Sequence, residues 1–324
     1  MAYYLAIDGG GTKTRCVLAD ESGVLAKAMS GGSNIVRLGE RPARQALHAA
    51  IHQVSKIARI SPDRIRSVCI GAAGASRPEM AEKIRNILKE VIPERAAARI
   101  EVVGDSVIAL EAAFGAGPGV IAIAGTGSIA HGRDAAGNTA RAGGWGFAVS
   151  DEGSGYWIGR RAISAILSAR DRGLETALTE MILEAWKLTS FDQLVQRANA
   201  TPPPDFPRLF RIVLRAADEG DAIARELLAE AGSKLANLAI IVIRRLTPAA
   251  SVPAPPGTTP PVDMRPVAVL PVAMTGSVFR QSPQVRQVFY DLLQLDFPGI
   301  DVRQDLVDPV EGALARARAN LAGV

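Results

Sequence analysis

The chain has 324 residues, of which 48% are hydrophobic and 22% are charged. This length exceeds the usual size of a single hydrophobic core, so two lobes are expected. A net charge of +4 without a block of basic residues argues against nucleic-acid binding. The longest apolar stretches are broken by charge or proline, which predicts no membrane-spanning segment.

The only cysteines are Cys16 and Cys69, and each lies in an apolar run typical of a strand. A large extracellular protein with two buried thiols and no signal sequence would be unusual. The expected location is therefore the cytoplasm.

The first part of the chain predicts the element order βββαβαβα. Apolar runs and turns indicate strands, and apolar residues at three- and four-residue spacing indicate helices. The predicted strands are 3–8, 14–20, a third from 24, 66–74 and 98–105, and the predicted helices are 42–58, 78–91 and 106–114.

The pattern restarts at Gly119 with a strand, a glycine turn and a hairpin, and helices follow. A long helix is predicted over 221–246, and the proline-dense stretch 251–266 predicts a surface connection. A further strand in 267–277 and a helix from about Asp308 end the chain. The predicted domains are 1–116 together with 308–324, and 117–307.

Two glycine-rich turns each follow an apolar strand, in YYLAIDGGGTKT (3–14) and GVIAIAGTGS (119–128). Glycine lets backbone N–H groups approach a polyanion without interference from a Cβ atom. Two such turns, one in each lobe, predict a cleft that holds one phosphate chain, although either sequence alone is also compatible with an ordinary turn.

Six motifs occur in a characteristic order: DGGGTKT, GDS, GTGS, GGWGFAVSDEGSGYW, TGSVF and PVEGALARA. Together they resemble the N-acetylglucosamine kinase branch of the actin, hexokinase and heat-shock ATPase superfamily, also called the BadF/BadG/BcrA/BcrD ATPase family. The resemblance implies an α/β fold of two RNase H-like (actin-like ATPase) lobes around a central nucleotide and sugar cleft. It also implies an ATP- and Mg²⁺-dependent kinase that phosphorylates the 6-hydroxyl of N-acetylglucosamine.

The resemblance assigns the nucleotide site to glycine turns and one carboxylate. Asp8, at the end of the first strand, offers an oxygen ligand to the Mg²⁺ that accompanies ATP. Lys13 is equally compatible with contacting phosphate and with facing solvent. The implied ATP-binding residues are Gly10, Gly11, Thr12, Lys13, Thr126, Gly127, Ser128, Gly276 and Ser277.

Asp105 is the implied catalytic residue, and it also contacts the sugar in this interpretation. It follows a strand, where an open α/β sheet places ligands, and would accept the proton of the sugar hydroxyl. It could also, or instead, cap the helix that begins at Ser106. The other implied sugar-binding residues are Asn34, Gly144, Trp145, Gly146 and Asp151. For Asp151 the alternative is helix capping, and for Trp145 it is a core aromatic position.

The sugar itself is less well defined. Related kinases that prefer the acetylated sugar often have a serine near the end of the fourth strand, where this chain has Ala73, Gly74 and Ala75. Glucosamine is therefore the alternative substrate. A homodimer is an expectation that rests on the resemblance alone.

Three other functions fit less well. An activase of the same family would need cysteine ligands for an iron–sulfur cluster, which Cys16 and Cys69 do not supply. A sugar-sensing repressor would carry a helix-turn-helix before Tyr3 or a Cys/His zinc cluster, and neither is evident. His48 and His52 have metal-chelating spacing but no evident third ligand, which favours a solvated helix flank.

Overall fold

A computed structural model describes residues 2–93, 98–247 and 269–322. They form two compact units: unit 1 comprises Met1–Gly119 and Val307–Val324, and unit 2 comprises Val120–Leu306. The sequence-based boundaries fall after 116 and 307, against 119 and 306 in this division. The predicted surface connection at 251–266 lies outside the described residues.

The strands are β1 (Tyr3–Gly9), β2 (Lys13–Ala19), β3 (Val24–Gly31), β4 (Ile65–Ala72), β5 (Arg99–Gly104), β6 (Gly119–Ala124), β7 (Ser128–Arg133), β8 (Thr139–Gly143), β9 (Val272–Thr275) and β10 (Val302–Leu306). The helices are α1 (Ile35–Leu38), α2 (Glu40–Ala58), α3 (Pro78–Lys89), α4 (Asp105–Phe114), α5 (Gly155–Asp171), α6 (Ala177–Trp186), α7 (Phe191–Ala198), α8 (Phe210–Asp218), α9 (Ala222–Leu246), α10 (Ser277–Gln281), α11 (Pro283–Asp296) and α12 (Pro309–Ala322). Short 3₁₀ turns lie at Pro62–Arg64 and Phe206–Leu209.

Unit 1 is built on a five-stranded sheet in the order β3-β2-β1-β4-β5. The strands β1, β4 and β5 are parallel, and β2 and β3 complete an antiparallel meander. Successive residues of β1 enter opposite cores: Leu5 packs with α2 and α3, and Ala6 packs with α4 and α12. Because helices cover both faces, β1 and β4 are almost continuously apolar.

Unit 2 has a second five-stranded sheet in the order β10-β9-β6-β7-β8. The strands β6, β9 and β10 are parallel, while β7 and β8 form an antiparallel hairpin. The long helix α9 packs on that hairpin and on α11. Phe279 and Phe289, both fully buried, meet edge to face in this core.

The predicted order βββαβαβα is confirmed from β1 to α4, with one addition. The sequence analysis missed α1, because a helix of four residues is too short to show a periodic pattern. It also missed β10, where three of the five residues are exposed and polar. No helix in the described parts of the chain has both the length and the apolar character needed to cross a bilayer.

Candidate active site

Three parallel strands of unit 1 end side by side. Gly9 of β1 lies opposite Ala72 of β4, and Ala72 lies opposite Gly104 of β5. Asp8 immediately precedes Gly9, and Asp105 immediately follows Gly104. Both carboxylates therefore lie at the carboxyl edge of the sheet, where α/β folds bind ligands.

The pKa values of both carboxylates are raised, and the charge of Asp105 contributes to the shift at Asp8. Burial and, next, the negative charge of Asp105 raise the pKa of Asp8 to about 6, against the lowering effect of Arg15. Asp308 adds a smaller upward contribution to the Asp8 pKa. Burial also raises the pKa of Asp105, against the hydrogen bond that the Ser106 N–H donates to its Oδ1 at 2.9 Å. The edge therefore holds two carboxylates whose ionised forms are disfavoured.

Asp105 is not the N-cap of α4. It is the first residue of that helix, and Gly104 occupies the cap position without a side-chain hydrogen bond. The alternative that Asp105 is the N-cap residue of this helix is therefore wrong. The carboxylate nevertheless lies in the first turn, where the helix dipole favours negative charge.

The first glycine turn packs against the segment that follows β3. The Gly10 N–H donates to the Lys13 carbonyl at 3.0 Å, and the Gly10 carbonyl accepts from the N–H groups of Ser33 and Asn34 at 3.0 and 3.2 Å. Thr12 and Lys13 are exposed at the tip of the turn. The turn is thus held by its own backbone, with its tip facing solvent.

Asn34 has a structural role that the sequence analysis did not anticipate. Its Oδ1 caps α1 by accepting from the N–H groups of Val36 and Arg37 at 3.0 and 3.1 Å. Its Nδ2 donates to no partner among the described residues. Asn34 can therefore cap the helix and still offer an amide donor to a ligand.

A turn at 73–76 lies beside these residues. The Ala73 N–H donates to the Gly9 carbonyl at 3.1 Å. A Cβ atom added to Gly104 would lie 3.0 Å from Oγ of Ser76, so that hydroxyl sits next to the residue preceding Asp105. The serine that related kinases often have near the end of the fourth strand is absent at 73–75, but Ser76 lies one residue further along.

In unit 2 the second glycine turn is bound to the first turn of α5. The Gly155 N–H donates to the Gly125 carbonyl at 2.8 Å, and the Tyr156 N–H donates to the Thr126 carbonyl at 3.3 Å. The hydroxyl of Ser128 donates to the Glu152 carbonyl at 2.7 Å. Donation from Ser128 Oγ to a phosphate would require that this internal bond be exchanged.

Asp151 lies against the same turn. A Cβ atom on Gly127 would come within 2.8 Å of Asp151 Oδ2. Asp151 is buried and has a φ of +66°, a strained conformation for a residue with a side chain. The cap of α5 is Ser154, whose Oγ accepts from the Trp157 N–H, so the capping alternative for Asp151 is wrong.

Trp145 is exposed rather than part of a core. Its side chain is 66% exposed, which rules out the alternative of a core aromatic position. The guanidinium of Arg141 lies 4.2 Å from the centroid of its ring. Gly144 and Gly146 flank it in the segment that leaves β8.

Gly276 is required for a reason internal to the protein. It has a φ of +109°, and a Cβ atom there would lie 2.2 Å from the carbonyl oxygen of Ala124 at the end of β6. From the sequence, Gly276 is predicted to bind ATP. The close approach of two strand ends already demands this glycine, and Ser277 then begins the short helix α10.

The remaining candidates have structural explanations. Cys16 and Cys69 are fully buried, and burial raises the pKa of both thiols. His48 Nε2 lies 3.2 Å from Glu90 Oε2, and no group of three potential metal ligands occurs in the described ranges. The activase and histidine-metal alternatives gain no support.

Most of the chain matches one protein family. The BadF/BadG/BcrA/BcrD ATPase family model matches residues 5–317. An N-acetylmuramic acid/N-acetylglucosamine kinase of Clostridium acetobutylicum is 36% identical, covering 72% of this chain and 77% of the relative. A glucosamine kinase of Vibrio cholerae is 31% identical, covering 72% and 78%.

A solved structure shows the same architecture. The crystal structure of a proposed N-acetylglucosamine kinase from Chromobacterium violaceum has a TM-score of 0.72 and 27% identity, covering 97% of this chain and 98% of that one. The two mixed sheets with their helices thus form the actin-like ATPase fold, as predicted. This chain belongs to the BadF/BadG/BcrA/BcrD ATPase family.

Proposed function

We propose that this chain is an ATP-dependent kinase that transfers a phosphoryl group to the 6-hydroxyl of N-acetylglucosamine. Membership of an ATPase family implies use of ATP, and the similar proteins named above are amino-sugar kinases. The observation that carries the proposal is that Asp8 and Asp105 lie at the same carboxyl edge of the unit 1 sheet, on strands separated by β4, with the charge of Asp105 raising the pKa of Asp8.

Asp105 is the proposed catalytic base. Burial raises its pKa, which makes the carboxylate a better proton acceptor than an exposed aspartate. In phosphoryl transfer the protein mainly aligns the reactants and stabilises charge. Asp105 would orient the 6-hydroxyl and take up its proton as the new bond forms.

Asp8 suits the Mg²⁺ that accompanies ATP. Mg²⁺ prefers oxygen ligands and is usually held by one or two carboxylates, with waters and phosphates completing its shell. Asp8 supplies a carboxylate whose ionised form is disfavoured by burial and by the charge of Asp105, so a nearby cation would be stabilising. When bound, Mg²⁺ would neutralise phosphate charge.

The glycine turns are the proposed phosphate-binding elements. In unit 1 the segment Gly10, Gly11, Thr12 and Lys13 presents its exposed tip to solvent. In unit 2 the proposed contacts come from Thr126, Gly127 and Ser128 and, toward adenosine, from Gly276 and Ser277. Backbone N–H groups at such turns bind anions without a long side chain.

The proposed sugar contacts differ in how they would act. Asn34 would donate from Nδ2 while its Oδ1 caps α1. Asp151 would accept from a sugar hydroxyl, and its φ of +66° shows that the chain holds it in a specific conformation. The exposed indole of Trp145, with Gly144 and Gly146 beside it, would offer a flat surface to the ring.

Glucosamine is a second candidate substrate for the same chemistry. The observation that favours it is the turn Ala73–Gly74–Ala75, which has no polar side chain for an acetamido group. Ser76, the last residue of that turn, carries a hydroxyl that would bind an acetamido group, which favours the acetylated sugar. ADP release with N-acetylglucosamine and with glucosamine, compared as kcat/KM, separates the two.

The decisive experiment replaces Asp105 with asparagine. Asp105→Asn should fold, bind sugar and ATP with little change, and lose turnover by about 10²- to 10⁴-fold, the usual contribution of a positioned base. Glu79→Gln, an exposed carboxylate in the first turn of α3, is the matched control and should keep full activity. Calorimetry for binding and ADP release for turnover distinguish the two effects. Near-normal turnover in Asp105→Asn would refute the base assignment.

A further inference from the structure

Unit 2 contains an open cavity along β8. Its volume is about 630 Å³, and its lining includes Thr139 and Arg141 of β8, Trp145 after that strand, and Arg245 at the end of α9. β8 is the edge strand of its sheet, so no other strand of that sheet covers this side.

Two arginines line this cavity without a carboxylate partner among the described residues. The guanidinium of Arg141 stacks over the Trp145 ring, and Arg245 Nη1 donates to the Arg141 carbonyl at 2.8 Å. The neighbouring Arg244, in contrast, pairs with Asp296 at 2.7 Å. Two positive charges are thus held beside one cavity, and Asp134 is the one carboxylate among its described lining residues.

The way these arginines are held favours an anionic ligand. A guanidinium stacked on an aromatic ring keeps its in-plane N–H groups available, and their forked arrangement matches phosphate and carboxylate oxygens. Arg245 commits one N–H group to Arg141 and so retains further donors. Both side chains are positioned before any ligand arrives, which reduces the entropy lost on binding.

The rest of the lining favours hydroxyl groups and a flat ring. The Asp134 carboxylate accepts from the Ala136 N–H at 2.9 Å and from Asn138 N and Nδ2 at 2.8 and 2.9 Å. These bonds lower the Asp134 pKa, so it remains a negatively charged acceptor that repels a second anion and attracts hydroxyl donors. The exposed indole of Trp145 offers an apolar face for the C–H groups of a sugar ring.

We propose that this cavity binds a phosphorylated sugar, with the phosphate on Arg141 and Arg245 and the hydroxyl-bearing ring toward Asp134 and Trp145. The ligand has two sources, a sugar phosphate made by this protein or one made elsewhere, and both share this chemistry. The two arginines are not part of the proposed kinase site, and Trp145 is the one residue that the two proposals share.

The test is calorimetric binding at low salt with two probes, N-acetylglucosamine 6-phosphate and glucose 6-phosphate, and with unphosphorylated glucose for comparison. The wild-type protein should bind at least one phosphate probe, and Arg141→Gln or Arg245→Gln should each weaken that binding by at least about tenfold. Arg161→Gln is the matched control, because Arg161 also stacks on a tryptophan, Trp157 at 5.7 Å, but pairs with Glu230 at 3.1 Å. Its affinity should equal that of wild type.

The two probes identify the source. Binding of both indicates a general sugar-phosphate site, and binding of only the N-acetylglucosamine ester indicates the product of the proposed reaction. Failure of wild type to bind either probe, equal affinity in the two arginine variants and wild type, or equally tight binding of glucose would each overturn the proposal. Because binding and not turnover is measured, an active kinase can fail this test and an inactive protein can pass it.

Discussion

Nη2 of Arg15 donates to both carboxylate oxygens of Asp308. Arg15 lies on β2 directly across from Asp8 on β1, and Asp308 immediately precedes α12. The ion pair therefore joins the start of the last helix to the strand beside the proposed metal ligand. The charge of Arg15 lowers the pKa of Asp8 and that of Asp308 raises it, so the pair presents partly cancelling charges to this carboxylate.

The Arg15–Asp308 pair should stabilise unit 1 measurably. The two side chains are 21% and 35% exposed, so the pair is better shielded from water than an ordinary surface pair. We expect a coupling free energy of about 1 kcal/mol from a double-mutant cycle of Arg15→Gln and Asp308→Asn, followed by urea unfolding. Arg215→Gln with Glu219→Gln is the control cycle, because those side chains are 64% and 55% exposed and should couple by about 0.3–0.5 kcal/mol. Equal coupling in the two cycles would contradict the prediction.

Asp8 should make stability depend on pH. Its pKa is about 6 in the folded protein and 3.8 as a reference. At a pH between these two pKa values the folded protein binds more protons than the unfolded chain. The free energy of unfolding therefore falls as the pH rises through 6. At pH 7 without Mg²⁺, Asp8→Asn should therefore have a free energy of unfolding higher than that of wild type by on the order of 1–2 kcal/mol, and it should unfold at a higher temperature. The difference should vanish near pH 4.

Asp134 provides a control of opposite sign. Hydrogen bonds from Asn138 lower its pKa, so its stabilising contribution is present at neutral pH and is lost as the pH falls. Asp134→Asn should thus be slightly less stable than wild type at pH 7 and equal to it in acid. Thermal unfolding from pH 3 to pH 8 measures both variants, and a pH-independent difference between Asp8→Asn and wild type would exclude the proposed linkage.

Much of the fold could be predicted because its signals are local. The two-sided burial of β1 gives a continuous apolar run, and α2 shows helical spacing over its whole length. α1 was not predicted because a segment of four residues is too short to show helical spacing. Its start is instead stabilised by the Asn34 cap. β10 was not predicted because it is an edge strand with exposed polar residues and so lacks an apolar run.

The candidate site was predictable only where its residues follow strands. Asp8 and Asp105 stand at strand ends, so the sequence indicates which edge they occupy. The Arg15–Asp308 pair could not be found, because 293 positions separate its members and neither lies in a phosphate turn. The internal bond of the Ser128 hydroxyl and the position of Ser76 beside Gly104 likewise depend on tertiary packing.

Gly312 should be intolerant of a substitution that usually stabilises helices. Alanine in a helix interior is favoured over glycine by up to about 1 kcal/mol. A Cβ atom on Gly312 would, however, lie 1.9 Å from the carbonyl oxygen of Ile108 and 2.6 Å from the backbone nitrogen of Ala112, both in α4. Backbone atoms cannot rotate away, so α12 and α4 would have to separate, and we expect Gly312→Ala to lose about 1–3 kcal/mol in urea unfolding.

The control for this contact lies in the same helix. Ala315 is exposed, so Ala315→Gly should report the helix propensity of α12 alone and lose about 1 kcal/mol. Gly312→Ala adds a methyl group to the helix and Ala315→Gly removes one, yet both should lower the free energy of unfolding. Only Gly312→Ala should do so by contact with α4. A Gly312→Ala protein that matches or exceeds wild-type stability would show that α4 and α12 do not approach this closely. The glycine of the terminal PVEGALARA motif would then need another explanation.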